Sequence, residues 1–166
     1  MKKILVLVSF VFLSQIMLAQ APISKGQKQL NVGVGFSGWG LPVYVGLDFG
    51  VHPDISLGLE LDFMRYRESY NKVNYTHSIW GFSGNGNYHF NRILNIPRPW
   101  DFYAGLNIGF YVWNSPNDYI GNNASDLGLG AQIGGRYYLN NKVALQLEFN
   151  GGNALNGGKF GLTIGL

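Results

Sequence analysis

At 166 residues, with a formal charge of +3 and no cysteine, the sequence has the length of a single domain, no means of forming a disulfide framework and too little positive charge to support nucleic-acid binding. Charged residues make up 13% of it against about 25% in a typical soluble domain, while aromatics reach 15% and glycine occupies 24 positions. Such a chain lacks the material for a solvated surface. Beyond its first residues it also has no apolar run long enough for a membrane helix, so its apolar side chains must be hidden in another pattern.

The chain starts with Met1-Lys2-Lys3, a mostly apolar run from Ile4 to Leu18, and Ala19-Gln20-Ala21-Pro22. A positive end, a short apolar segment broken by Ser9, Ser14 and Gln15, and small residues at the exit form the layout of a secretory signal peptide over residues 1–21, with cleavage after Ala19 or Ala21. Loss of Lys2 and Lys3 lowers the formal charge from +3 to +1. Residues 22–29 read as a short polar, periplasmic lead.

From Leu30 onward the period is two, the repeat of a strand whose faces differ. Leu30, Val32, Val34 and Phe36 oppose Asn31, Gly33, Gly35 and Ser37, and a Gly38-Trp39-Gly40 turn follows. Val43 to Val51 alternates against Tyr44, Gly46, Asp48 and Gly50; after His52-Pro53-Asp54, Ile55 to Phe63 alternates against Ser56, Gly58, Glu60, Asp62 and Met64. A polar loop is expected over Arg65 to Tyr75. A fourth strand then sets Trp80, Phe82, Tyr88 and Phe90 against Gly81, Ser83, Asn85, Asn87 and His89, and Asn91 to Pro99 connects to the fifth, Phe102 to Val112. A second polar loop runs from Trp113 to Ser125. Leu127 to Leu139, Val143 to Asn150 and Lys159 to Leu166 complete eight strands.

An even number of antiparallel segments of about 9 to 11 residues fits an all-β, eight-stranded, up-and-down transmembrane barrel over residues 30–166. The competing architecture is a soluble ligand-binding barrel of the lipocalin kind, with the apolar face turned inward. Its exterior would then be the Gly, Ser, Asn and Gln face, which is too bare for a soluble surface. Short turns at His52 and Asn140 place those connections and Asn91 to Pro99 on the periplasmic side, with the Trp39 turn and the loops near Asn71, Asn117 and Asn153 outside. Ile93, Leu94 and Ile96 are too apolar for a free turn; they are expected to pack on the barrel base or to lie at the lipid interface, with Trp100 as an anchor.

The run Leu127-Gly-Leu-Gly-Ala-Gln-Ile-Gly-Gly-Arg-Tyr-Tyr-Leu-Asn-Asn-Lys-Val-Ala-Leu-Gln-Leu-Glu-Phe149 and the closing Phe160-Gly-Leu-Thr-Ile-Gly-Leu166 resemble the small outer-membrane β-barrel proteins of Bacteroidota, similar in layout to OmpX and the OmpA barrel domain. The resemblance implies residence in the outer membrane of a Gram-negative cell envelope. It also implies contact with membrane lipid, and delivery by the barrel assembly machinery through the closing strand. Leu166 departs from the aromatic residue, commonly Phe, that usually ends this class.

Several motifs fall short of chemistry. Gly33-Val-Gly35-Phe-Ser-Gly38 has dinucleotide-fingerprint spacing, but Trp39-Gly40-Leu41-Pro42 follows where a helix should start. His52, His77 and His89 fall at three separate levels, so no metal site or cofactor is expected. Asn74-Tyr75-Thr76 and Asn123-Ala124-Ser125 are sequons that read as loop residues. Glu68, Ser69 and His77, near one rim, are the residues a lipid-modifying hydrolase would draw on, without a nucleophile motif to support it.

The inward polar residues Asp48, Glu60, Asp62, Gln132, Arg136, Gln146, Glu148 and Lys159 are expected to form a lumen network, since buried charges require partners. Four acids against two bases leave a formal −2, so one carboxylate must be protonated or bound to water. Because eight strands leave an interior that side chains can fill, the expected function is structural or interactive, with no catalysis and an unidentified surface or periplasmic protein as possible partner. A small channel and a lipid-modifying enzyme are the competing classes. A charge on the apolar face, as in Leu59→Arg, should be costly, and Gly58→Ser on the inner face milder.

Overall fold

A computed structural model of the protein describes residues 23–70, 73–119, 126–153 and 156–166. The expected signal peptide, Asn71 and residues 120–125 of the second polar loop lie outside the described residues. The strands are β1 (Lys28–Ser37), β2 (Val43–His52), β3 (Ile55–Tyr70), β4 (Val73–His89), β5 (Trp100–Asn114), β6 (Asp126–Tyr138), β7 (Val143–Gly152) and β8 (Gly157–Gly165). Each pairs antiparallel with its sequence neighbour, and β8 pairs with β1 to close the barrel.

The alternation decides which residues face out. Leu59 is 65% exposed and Leu106 71%, while the largest fully buried side chains include Arg136 and Tyr103. A molecule that buries arginine and exposes leucine is inside out relative to water. This refutes the lipocalin-like arrangement, because the apolar face lies on the exterior, where only lipid can cover it.

Two connections differ from the sequence expectation. The stretch expected as a polar loop over Arg65 to Tyr75 is mostly a hairpin: β3 and β4 stay paired from Arg65↔Ser78 up to Tyr70↔Val73. The short Gly38-Trp39-Gly40 turn folds inward, closed by a Ser37↔Gly40 bridge and with Gly40 at φ 130°, a value that suits glycine. Trp39 thereby packs edge-on against Tyr111 and Trp113 at 5.6 and 5.2 Å.

The end carrying the termini is also more ordered than a lead and a loop would be. β1 begins two residues before Leu30, and ahead of it Gly26 N–H donates to Gly50 O at 2.7 Å while Ile23 is fully buried. In the connection from β4 to β5, Asn91 Nδ2 donates to Trp100 O and Arg92 forms an ion pair with Asp54. Ile96 is half-buried there, but Ile93 and Leu94 stand 66% and 65% exposed. Of the two placements expected for this segment, base packing therefore fits Ile96 alone. Trp100 stacks on Phe102 at 5.5 Å and meets Tyr137 at 4.8 Å.

Candidate functional site: the filled lumen

The interior is organised by which inward positions carry side chains and which are glycine. At Gly134 an added Cβ would lie 2.4 Å from the Tyr103 ring, so that glycine is the bed on which Tyr103 crosses the lumen. At Gly58 a Cβ would lie 2.3 Å from Asp48 Oδ1 and 2.8 Å from Asn85 Oδ1. Gly58 thus makes room for the polar groups across from it, so a side chain added there meets resistance on the inner face.

Asp48, Asp62, Gln132, Arg136, Gln146, Glu148 and Lys159 are buried within the barrel, and the Glu60 side chain is 10% exposed. Arg136, 1% exposed, donates from Nη2 to Asp48 Oδ2 at 2.5 Å and from Nη1 to Gln29 Oε1 at 3.2 Å, with its guanidinium 4.8 Å from the Tyr103 ring. Asn31 Nδ2 donates to the same Asp48 oxygen at 2.9 Å, and Thr163 donates to Asn31 Oδ1 at 2.7 Å. The Tyr103 hydroxyl donates to Glu148 and accepts from Gln146 Nε2, both at 2.9 Å. Gln132 donates to Asn87 at 2.7 Å and accepts from Asn107 at 2.9 Å. One level away, Lys159 pairs with Glu60, with Asp62 at 3.9 Å and Glu148 at 4.0 Å.

Sequence reasoning set Ser56 and His89 on the inner face but missed Asp101, which completes the lowest layer. Asp101, fully buried, sits 2.8 Å from His89 Nδ1 and 3.6 Å from Arg136 Nη1, and the Ser56 hydroxyl is 3.0 Å from His89 Nε2. Asp101 falls between the expected connection, which ends at Pro99, and the expected strand, which starts at Phe102, yet it shares the parity of Tyr103 and is the register partner of Arg136. Its addition brings the lumen to five carboxylates against two cations, a formal −3 with His89 neutral. Asp62 Oδ1 has no hydrogen-bond partner among the described residues.

Above the ionic layers the lumen turns apolar. Met64, Ile79 and Tyr111 are buried together, with Trp39, Tyr66 and Trp113 packed on them. The rim residues Glu68, Ser69 and His77 do not assemble as a set. Ser69 faces the opposite side of β3 from Glu68. Glu68 Oε2 is 3.7 Å from His77 Nε2, beyond hydrogen-bond reach, and accepts instead from the Tyr119 hydroxyl at 3.0 Å. His77 is fully buried against Tyr119 at 4.6 Å, and its Nδ1 contacts Ser115 Oγ at 2.9 Å, which ties the hairpin to the end of β5. The other two histidines lie far down the barrel, His52 at the end of β2 and His89 in the lowest lumen layer.

A closed antiparallel barrel with a lipid-facing exterior and a polar, side-chain-filled interior defines the class of integral membrane barrels. The chain matches the family model described as outer membrane protein beta-barrel domain over residues 9–166, belongs to that family, and is a protein of the outer membrane. Among solved structures it is similar to a de novo designed transmembrane β-barrel at 18% identity and TM-score 0.53, covering 90% of this chain and all of that one. It is also similar to the N-terminal barrel domain of Pseudomonas aeruginosa OprF, at 12% identity and TM-score 0.56 over 86% and 98% of the two chains. Neisserial surface protein A matches at 14% identity and TM-score 0.53 over 84% and 94%. At these identities the likeness is one of fold. No curated protein matches the chain.

Proposed function

We propose that this protein is a non-catalytic structural or interaction barrel, closed to ion flow, which presents the β3–β4 hairpin and neighbouring connections outside the cell and the His52, Asn91 and Asn140 connections to the periplasm. The observation that carries the reading is the continuity of the filling. Ion-paired and hydrogen-bonded layers run from Asp101 up to Lys159, and the cluster around Met64, Ile79, Trp39 and Trp113 stands above them. Eight strands enclose an interior just wide enough for such side chains to fill, which supports a closed lumen. Support for a place among the small barrels resembling OmpX and the OmpA domain comes from the strand count and the alternation; contacts with membrane lipid and with the assembly machinery through β8 follow from that likeness.

The test is conductance of purified, folded protein in planar bilayers. The wild type should show negligible steady current, and Arg136→Ala small transient openings as water follows the unpaired carboxylates. A large, stable, cation-selective current from the wild type would overturn the reading in favour of a channel.

A further inference from the structure

On the outward face of β3 the apolar series Ile55, Leu57, Leu59, Leu61, Phe63 gives way to Arg65 and then Arg67, both exposed. The neighbouring strands change at the same level. Val43, Phe63, Trp80 and Val112 form one cross-strand row, and the next outward row is Arg65, Ser78 and Asn114. From Ile55 to Phe63 the strand rises roughly 26 Å, or about 20 Å along the membrane normal at a tilt near 40°, close to the apolar band of such barrels. Arg65 therefore stands at the polar edge of the bilayer, with Arg67 about 5 Å further out, the depth of lipid phosphates.

Neither guanidinium has an ion-pair partner among the described residues; the nearest acid along the strand, Glu68, faces inward and is engaged by Tyr119. Directly below them, the lipid-facing side of β2 to β4 holds an open apolar groove of about 560 Å³ lined by Val45, Leu47, Leu59, Leu61 and Phe82. Gly84, paired with Leu59, leaves it wide, since a Cβ there would meet nothing closer than 3.8 Å. Leu61 lies roughly 13 Å below Arg65 along the strand, so a chain resting in the groove leads up to the arginines, with the Phe63 and Trp80 rings, 4.6 Å apart, between them.

We propose that this face is a binding site for one phosphate-bearing anionic lipid of the outer leaflet, its acyl chain in the Leu59, Leu61 and Phe82 groove and its phosphate held between Arg65 and Arg67. Guanidinium suits this role because its planar fork meets phosphate oxygens two at a time. A free anion would use the arginines and ignore the groove; the alignment of the two on one strand face favours a lipid.

The test is native mass spectrometry of folded protein released from detergent micelles containing equal amounts of phosphatidylglycerol and phosphatidylcholine, with folding verified by heat-modifiable gel mobility. The wild type should retain one phosphatidylglycerol in preference. Each arginine should contribute about five-fold at low salt, so Arg65→Gln with Arg67→Gln should abolish the preference, while Arg98→Gln with Lys142→Gln, at the opposite end, should leave it unchanged. Gly84→Leu, which fills the groove and keeps both arginines, should also lower retention. A wild type without preference, or a double arginine variant that keeps it, would overturn the proposal. So would displacement of the lipid by millimolar inorganic phosphate with Gly84→Leu without effect, which would mark a simple anion site.

Discussion

Replacing Arg136 by methionine keeps the length of the side chain and removes its charge from the centre of the lumen. The guanidinium is 1% exposed and lies 2.5 Å from Asp48 and 3.6 Å from Asp101. Without it, Asp48 keeps only the Asn31 amide and Asp101 only the His89 ring among the described hydrogen-bond partners. Removing one member of a buried pair costs about 3 to 5 kcal/mol, because the remaining charge loses its compensation without regaining water. Two carboxylates are stranded here, so Arg136→Met should cost at least about 3 kcal/mol. Adding Asp48→Asn, which keeps the shape and the Asn31 contact while deleting one stranded charge, should restore about 1 to 2 kcal/mol of this, a coupling that a double-mutant cycle isolates. The measurement is equilibrium urea unfolding from lipid vesicles, followed by tryptophan fluorescence and by gel mobility. If Arg136→Met unfolds within about 0.5 kcal/mol of the wild type, or if Asp48→Asn adds its own loss instead of relieving the first, the buried charges are solvated by water and the account of the plug is wrong.

Three further outcomes are expected in the same assay. Leu59→Arg, outward at mid-barrel, should cost about 2 to 4 kcal/mol, whereas Gly84→Ser, outward into open space, should stay under about 1; equal costs would remove the lipid from that face. Gly58→Ser should cost about 1 to 3 kcal/mol through collision with Asp48 and Asn85, and a neutral result would mean that the polar layer is loosely packed. Trp39→Ala, which deletes the ring lodged against Tyr111 and Trp113, should cost about 2 to 4 kcal/mol; an unchanged midpoint would leave the turn merely resting on the rim.

The eight strands were legible because wherever one face meets lipid and the other meets the lumen, apolarity alternates with period two, as in Ile55 to Phe63. The same cause hid the upper part of the β3–β4 hairpin. Past Phe63 the outward residues are Arg65, Arg67 and Ser69 while Met64 and Tyr66 point inward into the apolar cluster, so the apolar side chains change faces, the lipid-facing alternation ends and a paired strand looks like a loop. Parity along each strand indicates an inward face for the ionic residues, but their pairing was not legible. Asp48 and Arg136 lie 88 residues apart and meet only across the lumen. The crowding at Gly58 was hidden for a related reason: what stands against it belongs to β2 and β4, and a single strand's pattern carries no record of what stands opposite.

The seam between β1 and β8 has a consequence for how the protein comes to exist. Seven of the eight pairings join sequence neighbours and can zip up from their hairpins, but the eighth joins Asn31 to Thr163 across 132 residues. That contact carries the largest loop-closure entropy and has to wait until both outer strands have been delivered to the same place. Until then the sheet has two raw edges in hydrocarbon, each a row of unsatisfied backbone groups. Removal of either outer strand would therefore leave an open ribbon, a species prone to pair with its own kind. Closure is the committing step of assembly, and reversing it requires those edges to be exposed again, so the finished protein should unfold slowly even where its equilibrium stability is modest.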